Sequence, residues 1–411
     1  MAYRLDSAGQ RRLDQYFDGV GAILCRRDRR ESFAIYALGL FGDGERKSVE
    51  PIAARACGDP ELCRAYHDRL LHFLGVAPWS DVRVRGYAAH YAIGAMTKRE
   101  AIRDWIVDDT GLPKQGDMSP GVQRQYSATL GKTGNCQIAV SVTLATPTMH
   151  LPIDMDLYLP KSWADDRRRC KAAHIPDEVV YRPKWRIALD IIERNVAAGA
   201  PLGLMLADSG YGDVSEFRSG VREMGFDYAV DVKKHTRVVI VCDDGSETEP
   251  MSVQTASEIF GERSYRKLTW REGTRRDLSA LFATVRVRVV TDKDTRGEEQ
   301  WLVIDKLDRG GPVEHYVLAT LSKSMSRKEL VRRIKQRWRT ERAYQDLKGE
   351  LGLDHFEGRT YPGWQHHVSC VLACYAFLVA ERSRAFPPRG QKVARKPRDR
   401  MRGLNATSMT R

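Results

Sequence analysis

Leu202-Gly203-Leu204-Met205-Leu206-Ala207-Asp208-Ser209-Gly210-Tyr211-Gly212 reads as a short apolar strand that delivers an aspartate into a glycine-rich turn. Ile102–Val107 does the same and ends in Asp108-Asp109-Thr110-Gly111. Between them, Cys136–Ala145 and His150–Leu159 are β-rich stretches around a Pro-containing turn, which predicts a hairpin. Trp185–Ala198 has helical composition, and a short helix over about Val214–Met224 and a strand over Asp227–Val232 follow. Strands joined by helical crossovers define an α/β core. Ligand and metal sites in open α/β sheets gather at the C-terminal strand ends, where both aspartates fall. Either motif alone is an ordinary turn; their repetition in one core is the informative feature.

Further along, Ile334-Lys335-Gln336-Arg337-Trp338-Arg339-Thr340-Glu341-Arg342-Ala343-Tyr344-Gln345-Asp346-Leu347-Lys348 predicts the middle of one helix from about Ser326 to Gly352. Leu330, Ile334 and Trp338, then Tyr344, Leu347 and Leu351, make an apolar face with one wider gap. Arg337, Glu341 and Lys348, spaced by four and seven, share a second stripe. Taken alone, that stripe is a solvated face with an Arg337–Glu341 ion pair worth a few tenths of a kcal/mol.

The flanking regions differ in character. Residues 1–98 read as helices, with segments Glu31–Phe41, Ser48–Ala56, Glu61–Leu74 and Asp81–Met96 and no defensible helix-turn-helix. Residues 236–320 have β composition around polar turns, with strands expected at Arg237–Val241, Ala283–Val290, Trp301–Asp305 and His315–Ala319. A second apolar helix is expected over about His366–Ala380. From 386 to 411 the chain is rich in Pro and Arg, poor in large apolar residues, and expected to be disordered.

The chain has 411 residues, enough for two or three domains, with 42% apolar and 29% charged residues, an ordinary balance for a water-soluble protein. No apolar run reaches the roughly eighteen residues of a membrane span, and Met1–Asp6 lacks an apolar signal core, so a cytoplasmic location without membrane contact is expected. The net charge of +13 points to an anionic partner, but residues 382–411 carry ten Lys or Arg against Asp399 alone. Eight cysteines without a CxxC pair suggest buried free thiols and argue against a zinc module.

If Asp108, Asp208 and Glu341 converge, they can hold two divalent ions about 4 Å apart, the arrangement that activates an attacking oxygen and stabilises a leaving one in phosphoryl displacement. Oxygen ligands suit Mg²⁺ or Mn²⁺. Arg337 and Lys348 would neutralise neighbouring phosphates. No GxxxxGK[ST] loop suggests ATP hydrolysis, and no HExxH is present. Adjacent His366 and His367 point about 100° apart on a helix, which disfavours a shared metal. Ser209-Gly210 lacks the first half of a GxSxG elbow.

These motifs resemble the insertion-sequence DDE transposases marked by a Y-x2-R-x3-E-x6-K signature. Arg337, Glu341 and Lys348 fall on its R, E and K, while Ile334 stands at the tyrosine position. Asp108-Asp109-Thr110-Gly111 with Lys114-Gln115-Gly116 is similar to the family's first aspartate motif, Leu206–Gly212 to its second, and Gly358-Arg359, Trp364 and His366-His367 to the segment after the signature. The resemblance spans roughly residues 100–380. It implies an α/β, ribonuclease H-like catalytic core (99–235 and 321–385), interrupted by a mostly β insertion (236–320), preceded by a small helical domain (1–98) that could bind DNA ends, and followed by the basic tail (386–411). It implies Asp108, Asp208 and Glu341 as catalytic metal ligands, Asp108 rather than Asp109 matching an Asp-x-Thr pattern, with Arg337 and Lys348 on DNA phosphates. The activity implied is Mg²⁺- or Mn²⁺-dependent cleavage of double-stranded DNA at transposon terminal repeats, followed by transfer of the 3′-OH to target DNA. A homodimer or larger assembly, associated with the bacterial nucleoid, goes with it. The alternatives are an inactive or domesticated DNA-binding relative and a ribonuclease H-like nuclease without strand transfer.

Overall fold

The computed structural model describes residues 6–127, 131–271, 277–291 and 293–385; the expected disordered tail, 386–411, lies outside the described residues. The first hundred residues form α1 (Ser7–Leu24), α2 (Arg27–Phe41), α3 (Val49–Cys57), α4 (Pro60–Gly75) and α5 (Asp81–Thr97). The expected segments are all present, and α1 adds to them, started by Asp6, whose Oδ1 accepts the Gly9 N–H at 2.6 Å. Two cysteine expectations are corrected. Cys57 and Cys63, brought within 5.4 Å between Cα atoms by the turn from α3 to α4, form a disulfide, and Cys25 and Cys242 are exposed. Cys136, Cys170, Cys370 and Cys374 are buried free thiols.

The strands are β1 (Asp104–Pro113), β2 (Gln123–Ser127), β3 (Lys132–Ala145), β4 (His150–Leu157), β5 (Leu204–Ala207), β6 (Asp227–Val232), β7 (Arg237–Ile240), β8 (Met251–Ser252), β9 (Arg266–Arg271), β10 (Leu278–Val290), β11 (Arg296–Lys306) and β12 (Val313–Ala319). Among the described residues they make one twelve-stranded sheet ordered β2-β3-β1-β5-β6-β12-β11-β10-β7-β8, with β4 on β3 and β9 on β10. β4, β3 and β1 are antiparallel neighbours, whereas β1, β5 and β6 run parallel. The strands of 236–320 continue this sheet through the antiparallel β6–β12 pair. The remaining helices are α6 (Lys161–Ala164), α7 (Arg167–Ala172), α8 (Lys184–Ala197), α9 (Ser209–Gly212), α10 (Ser215–Glu223), α11 (Val253–Ile259), α12 (Arg327–Ile334), α13 (Trp338–Gly349) and α14 (Tyr361–Ala385).

Side chains alternate along a strand, and the two faces meet different helices. Trp105, Val107, Met205, Ala207, Tyr228 and Val230 pack with Ile187, Ala188 and Ile191 of α8 in the larger core. Ile106, Leu204, Leu206 and Ala229 pack with Leu330, Val331 and Ile334 of α12 in a separate cluster.

Two sequence expectations change here. β1 does not end before Asp108 but runs on to Pro113, because β3 stays paired with it as far as Cys136. The single helix expected over Ser326–Gly352 is two, broken at residues 335–337. No Gly or Pro causes the break. Arg339 N–H and Thr340 N–H bond only three residues back, to Gln336 and Arg337 carbonyls, and the junction side chains reach down to the sheet. Lys335 Nζ meets Asp305 Oδ2 at 2.6 Å and Arg337 Nη1 meets Asp231 Oδ2 at 2.9 Å.

α14 ties the head to the sheet. Tyr16 donates to the Ala373 carbonyl at 2.8 Å, and Ser383 donates to the Ala95 carbonyl at 3.0 Å. Arg85 of α5, 1% exposed, pairs with Asp81 at 3.0 Å and with Asp154 of β4 at 2.7 Å. Arg194 of α8 pairs with Asp154 at 2.5 Å and Asp156 at 3.1 Å. Gln365 of α14 donates to Asp156 and accepts from Arg85, both at 3.1 Å. His366 faces the Leu74 and Trp79 carbonyls at 2.7 and 3.1 Å, while His367 meets Tyr36 Oη at 2.8 Å, so the two rings serve different seams of helix packing.

Candidate active site

The sheet register aligns three aspartates. Parallel pairing of Ile106 with Leu206, carried two residues on, sets Asp108 beside Asp208 where β5 ends. Pairing of Ala207 with Val230, carried one residue on, sets Asp208 beside Asp231. Alternation puts all three on the face of Ile106, Leu206 and Ala229, the face that α12 covers. Asp109 falls on the other face, where Lys184 Nζ donates to it at 2.9 Å and Tyr211 Oη at 3.3 Å. Asp208 caps α9, accepting the Gly210 N–H at 2.9 Å. The glycine after it is needed for space: a Cβ on Gly212 would lie 2.2 Å from the Asp231 carbonyl oxygen.

Helix α13 brings Glu341 to this face and is fixed there by a polar ladder. Thr340, Tyr344 and Lys348 recur every four residues and so share a stripe. Thr340 Oγ1 meets Thr143 Oγ1 at 3.0 Å, Tyr344 Oη meets Ser141 Oγ at 2.6 Å, and Lys348 Nζ donates to the Gly111 carbonyl at 2.8 Å. Ser141 is the cross-strand partner of Asp108, so the middle rung sits beside the first aspartate. Glu341, on a neighbouring stripe, is exposed.

Charge is unbalanced at this place. Burial pushes the Asp108 carboxyl up to about 7, with Arg337 opposing and Asp208 and Asp109 adding to the rise. Burial likewise raises Asp208, against Arg337 and with Asp109 and Asp231. Burial acts to raise Asp231 too, but the neighbouring His315 ring and the charge of Arg337 outweigh it and leave that carboxyl below its ordinary value. The Arg337 guanidinium, though disfavoured by burial, is held above its ordinary value by Asp231, Asp108, Asp208 and Glu341 in that order. Burial lowers Lys348, with Asp354 opposing.

Arg337 is therefore within electrostatic reach of Asp108, Asp208 and Glu341, and Asp108 of Asp208, while Lys348 is occupied on β1. Among the described residues no three His, Cys, Asp or Glu side chains are close enough to form a ready metal cluster. The donor set nevertheless suits a hard divalent cation: desolvated carboxylates that repel one another, with a guanidinium as their countercharge. Asp231 and the ladder residues Thr143, Ser141 and Tyr344 were not among the candidates from sequence. The available signal for Asp231 was one acid on the apolar-strand face shared with Ala229.

The family model of the DDE superfamily endonucleases matches residues 15–277. The chain belongs to this family. It is also similar to a probable transposase for insertion sequence element IS701 from Microchaete diplosiphon, 27% identical over 363 residues, which cover 87% of this chain and 84% of the relative. The match that defines the endonuclease includes Asp108 and Asp208 and stops before Glu341. The strand pair is thus inside the family match, and α13 lies beyond it.

Proposed function

We propose that this DDE endonuclease is the DNA transposase of an insertion sequence, cleaving DNA at the element's ends and transferring the 3′-OH to target DNA. The likeness to the IS701 transposase over most of both chains supports this reading. The observation that carries the chemistry is the in-register pair Asp108–Asp208 on adjacent parallel strands, on the face over which Glu341 is brought.

In this reading Asp108, Asp208 and Glu341 hold the divalent cations on which DDE endonucleases depend, Mg²⁺ or Mn²⁺ and two in number. Bound there, the ions would supply activation of the attacking oxygen and stabilisation of the leaving one. The protein's own groups do the rest. Asp108 must lose its proton before it can ligate, and Arg337 offers a guanidinium to a phosphate near the scissile bond. Lys348 is the second phosphate contact, able to turn to DNA once it releases the Gly111 carbonyl. Asp109, committed to Lys184 and Tyr211, is not a ligand in this scheme.

The antiparallel β4-β3-β1 trio continued by parallel β5 and β6 supports a ribonuclease H-like core over 99–235 and 321–385, with 236–320 as its β-rich insertion. Residues 1–98 would read the DNA end, 386–411 would hold phosphates without reading bases, and two copies would pair two ends. No described helix is long and apolar enough to cross a membrane.

The test is a labelled duplex of the element's own end, incubated with Mg²⁺ and a second duplex. Strands joined to the second duplex support transposition; cleaved but unjoined strands would leave only a nuclease, and bound but uncut DNA only a DNA-binding relative.

A further inference from the structure

The alignment of β1, β5 and β6 brings up one carboxylate more than the catalytic reading uses. Asp231 stands next in line after Asp108 and Asp208, on the same face, with its side chain 19% exposed. It is engaged on two sides: Arg337 Nη1 lies 2.9 Å from Oδ2, and His315 Nδ1 of the neighbouring β12 lies 3.6 Å from the same oxygen. Arg337 is the cap residue of α13, four residues before Glu341, at the junction where the predicted continuous helix breaks. Its Nε is buried and, among the described residues, has no hydrogen-bond partner. The guanidinium is therefore gripped through Nη1 and keeps its Nε N–H unspent.

Without Asp231, the partly buried guanidinium would be left to the pull of Asp208 and Asp108, which stand next in line on the same face and act on it after Asp231. A bidentate bond to either would occupy the oxygens a divalent cation needs. We infer that Asp231 is a positioning residue that anchors Arg337 at the flank of the site, presenting it toward DNA while keeping it off Asp108 and Asp208. The inference rests on Arg337 acting in cleavage, as proposed above. Asp231 itself touches no reacting atom.

The experiment uses the full-length protein and compares Asp231→Asn, Asp231→Glu, Arg337→Ala and the double variant Asp231→Asn/Arg337→Ala. Single-turnover cleavage of the end duplex, the Mg²⁺ concentration for half-maximal rate, and binding of Mn²⁺ alone by electron paramagnetic resonance are read together with melting. Asp231→Asn should cleave at least tenfold more slowly, need at least fivefold more Mg²⁺, and bind Mn²⁺ more weakly, because the released guanidinium competes for the acids. Arg337→Ala should cleave slowly without weaker Mn²⁺ binding, and the double variant should match it in all three readings. Asp231→Glu keeps an ion pair but moves it by one methylene, so it remains decisive if Asp231→Asn melts too low to assay. Positioning requires at least a threefold loss of rate at native melting for this variant, whereas a bare structural pair gives wild-type cleavage and overturns the inference. Equal Mn²⁺ binding by Asp231→Asn and wild type would also overturn it, as would a full further loss when Asp231→Asn is added to Arg337→Ala. Wild-type cleavage by Arg337→Ala would instead remove Arg337 from the reaction, and this inference with it; a defective Arg337→Ala beside a normal Asp231→Asn would sink the anchoring alone.

Discussion

The molecule gathers two clusters of charge, one buried and one partly buried, and treats them oppositely. Around Asp154, two arginines face Asp81, Asp154 and Asp156, with Gln365 bonded to both Arg85 and Asp156. Burial there acts to raise Asp154, yet Arg85 and Arg194 overcome it, and the carboxyl stays below its ordinary value. Around Asp108, the Arg337 guanidinium is shared among Asp231, Asp108, Asp208 and Glu341, with His315 adding only at Asp231, and Asp108 rises to about 7. The desolvation is alike in kind; the ratio of cations to carboxylates differs. A cluster with two cations for three carboxylates holds helices to a sheet, whereas a larger deficit of positive charge is what a site for a cation requires.

The sharpest test neutralises the deficient cluster. Asp108→Asn, Asp208→Asn and Glu341→Gln should each reduce end cleavage by about a thousandfold or more, a rise of about 4 kcal/mol in the barrier, while DNA binding persists and melting is no lower than in the wild type. Gel analysis of cleavage beside calorimetric melting checks this, and substantial cleavage by any one variant removes that residue from the site. The better-compensated cluster around Asp154 should respond the other way. Arg85→Met leaves buried carboxylates short of a partner and should cost about 3–5 kcal/mol in urea unfolding, with the cleavage rate of the folded fraction nearly unchanged.

A smaller effect separates the clusters by pH. Asp108 has a folded value above its unfolded one, so the stability it contributes is complete below about pH 4 and lost as pH rises through about 7. Asp154, depressed on folding, contributes stability above its unfolded value that disappears as pH falls into the acid range. Metal-free Asp108→Asn should therefore melt higher than wild type at pH 8 and equally at pH 4; a difference of the same size at both values would contradict the assignment. Cleavage by the wild type should rise with pH through about 7, as the Asp108 proton leaves. The mildest change is Tyr344→Phe, which removes one rung beside Asp108 and strands the Ser141 hydroxyl. It should cost about 1 kcal/mol of stability and slow cleavage severalfold, and an unaltered cleavage rate would make that rung purely structural.

Much of this arrangement is legible in the sequence. Apolar runs ending in Asp108 and Asp208 located two adjacent strands, and helical spacing located α8, α10 and α14, because those signals are local. The break at 335–337 was not legible, since residues 334–338 contain neither Gly nor Pro; what stops the helix is Lys335 and Arg337 reaching Asp305 and Asp231 on strands distant in sequence. The extension of β1 past Asp108 depends on pairing with β3, and a strand's partner is not written in its own residues. Asp231 escaped for a related reason. Its importance comes from register with β5, a relation between segments.

The last described helix has a further consequence for the life of the chain. α14 supplies the surface on which the head completes its packing: Tyr16 reaches Ala373, Arg12 pairs with Glu381, and Arg85 sits against Gln365 and Ser369. During synthesis the first five helices thus leave the ribosome some three hundred residues before their partner exists, and Arg85 emerges long before its α14 contacts. High contact order of this kind makes folding slow and leaves apolar helix faces uncovered in the meantime. A chain released early, anywhere before α14, would lack the seam between head and sheet, and quality control would meet it as an unfinished protein rather than a shortened one.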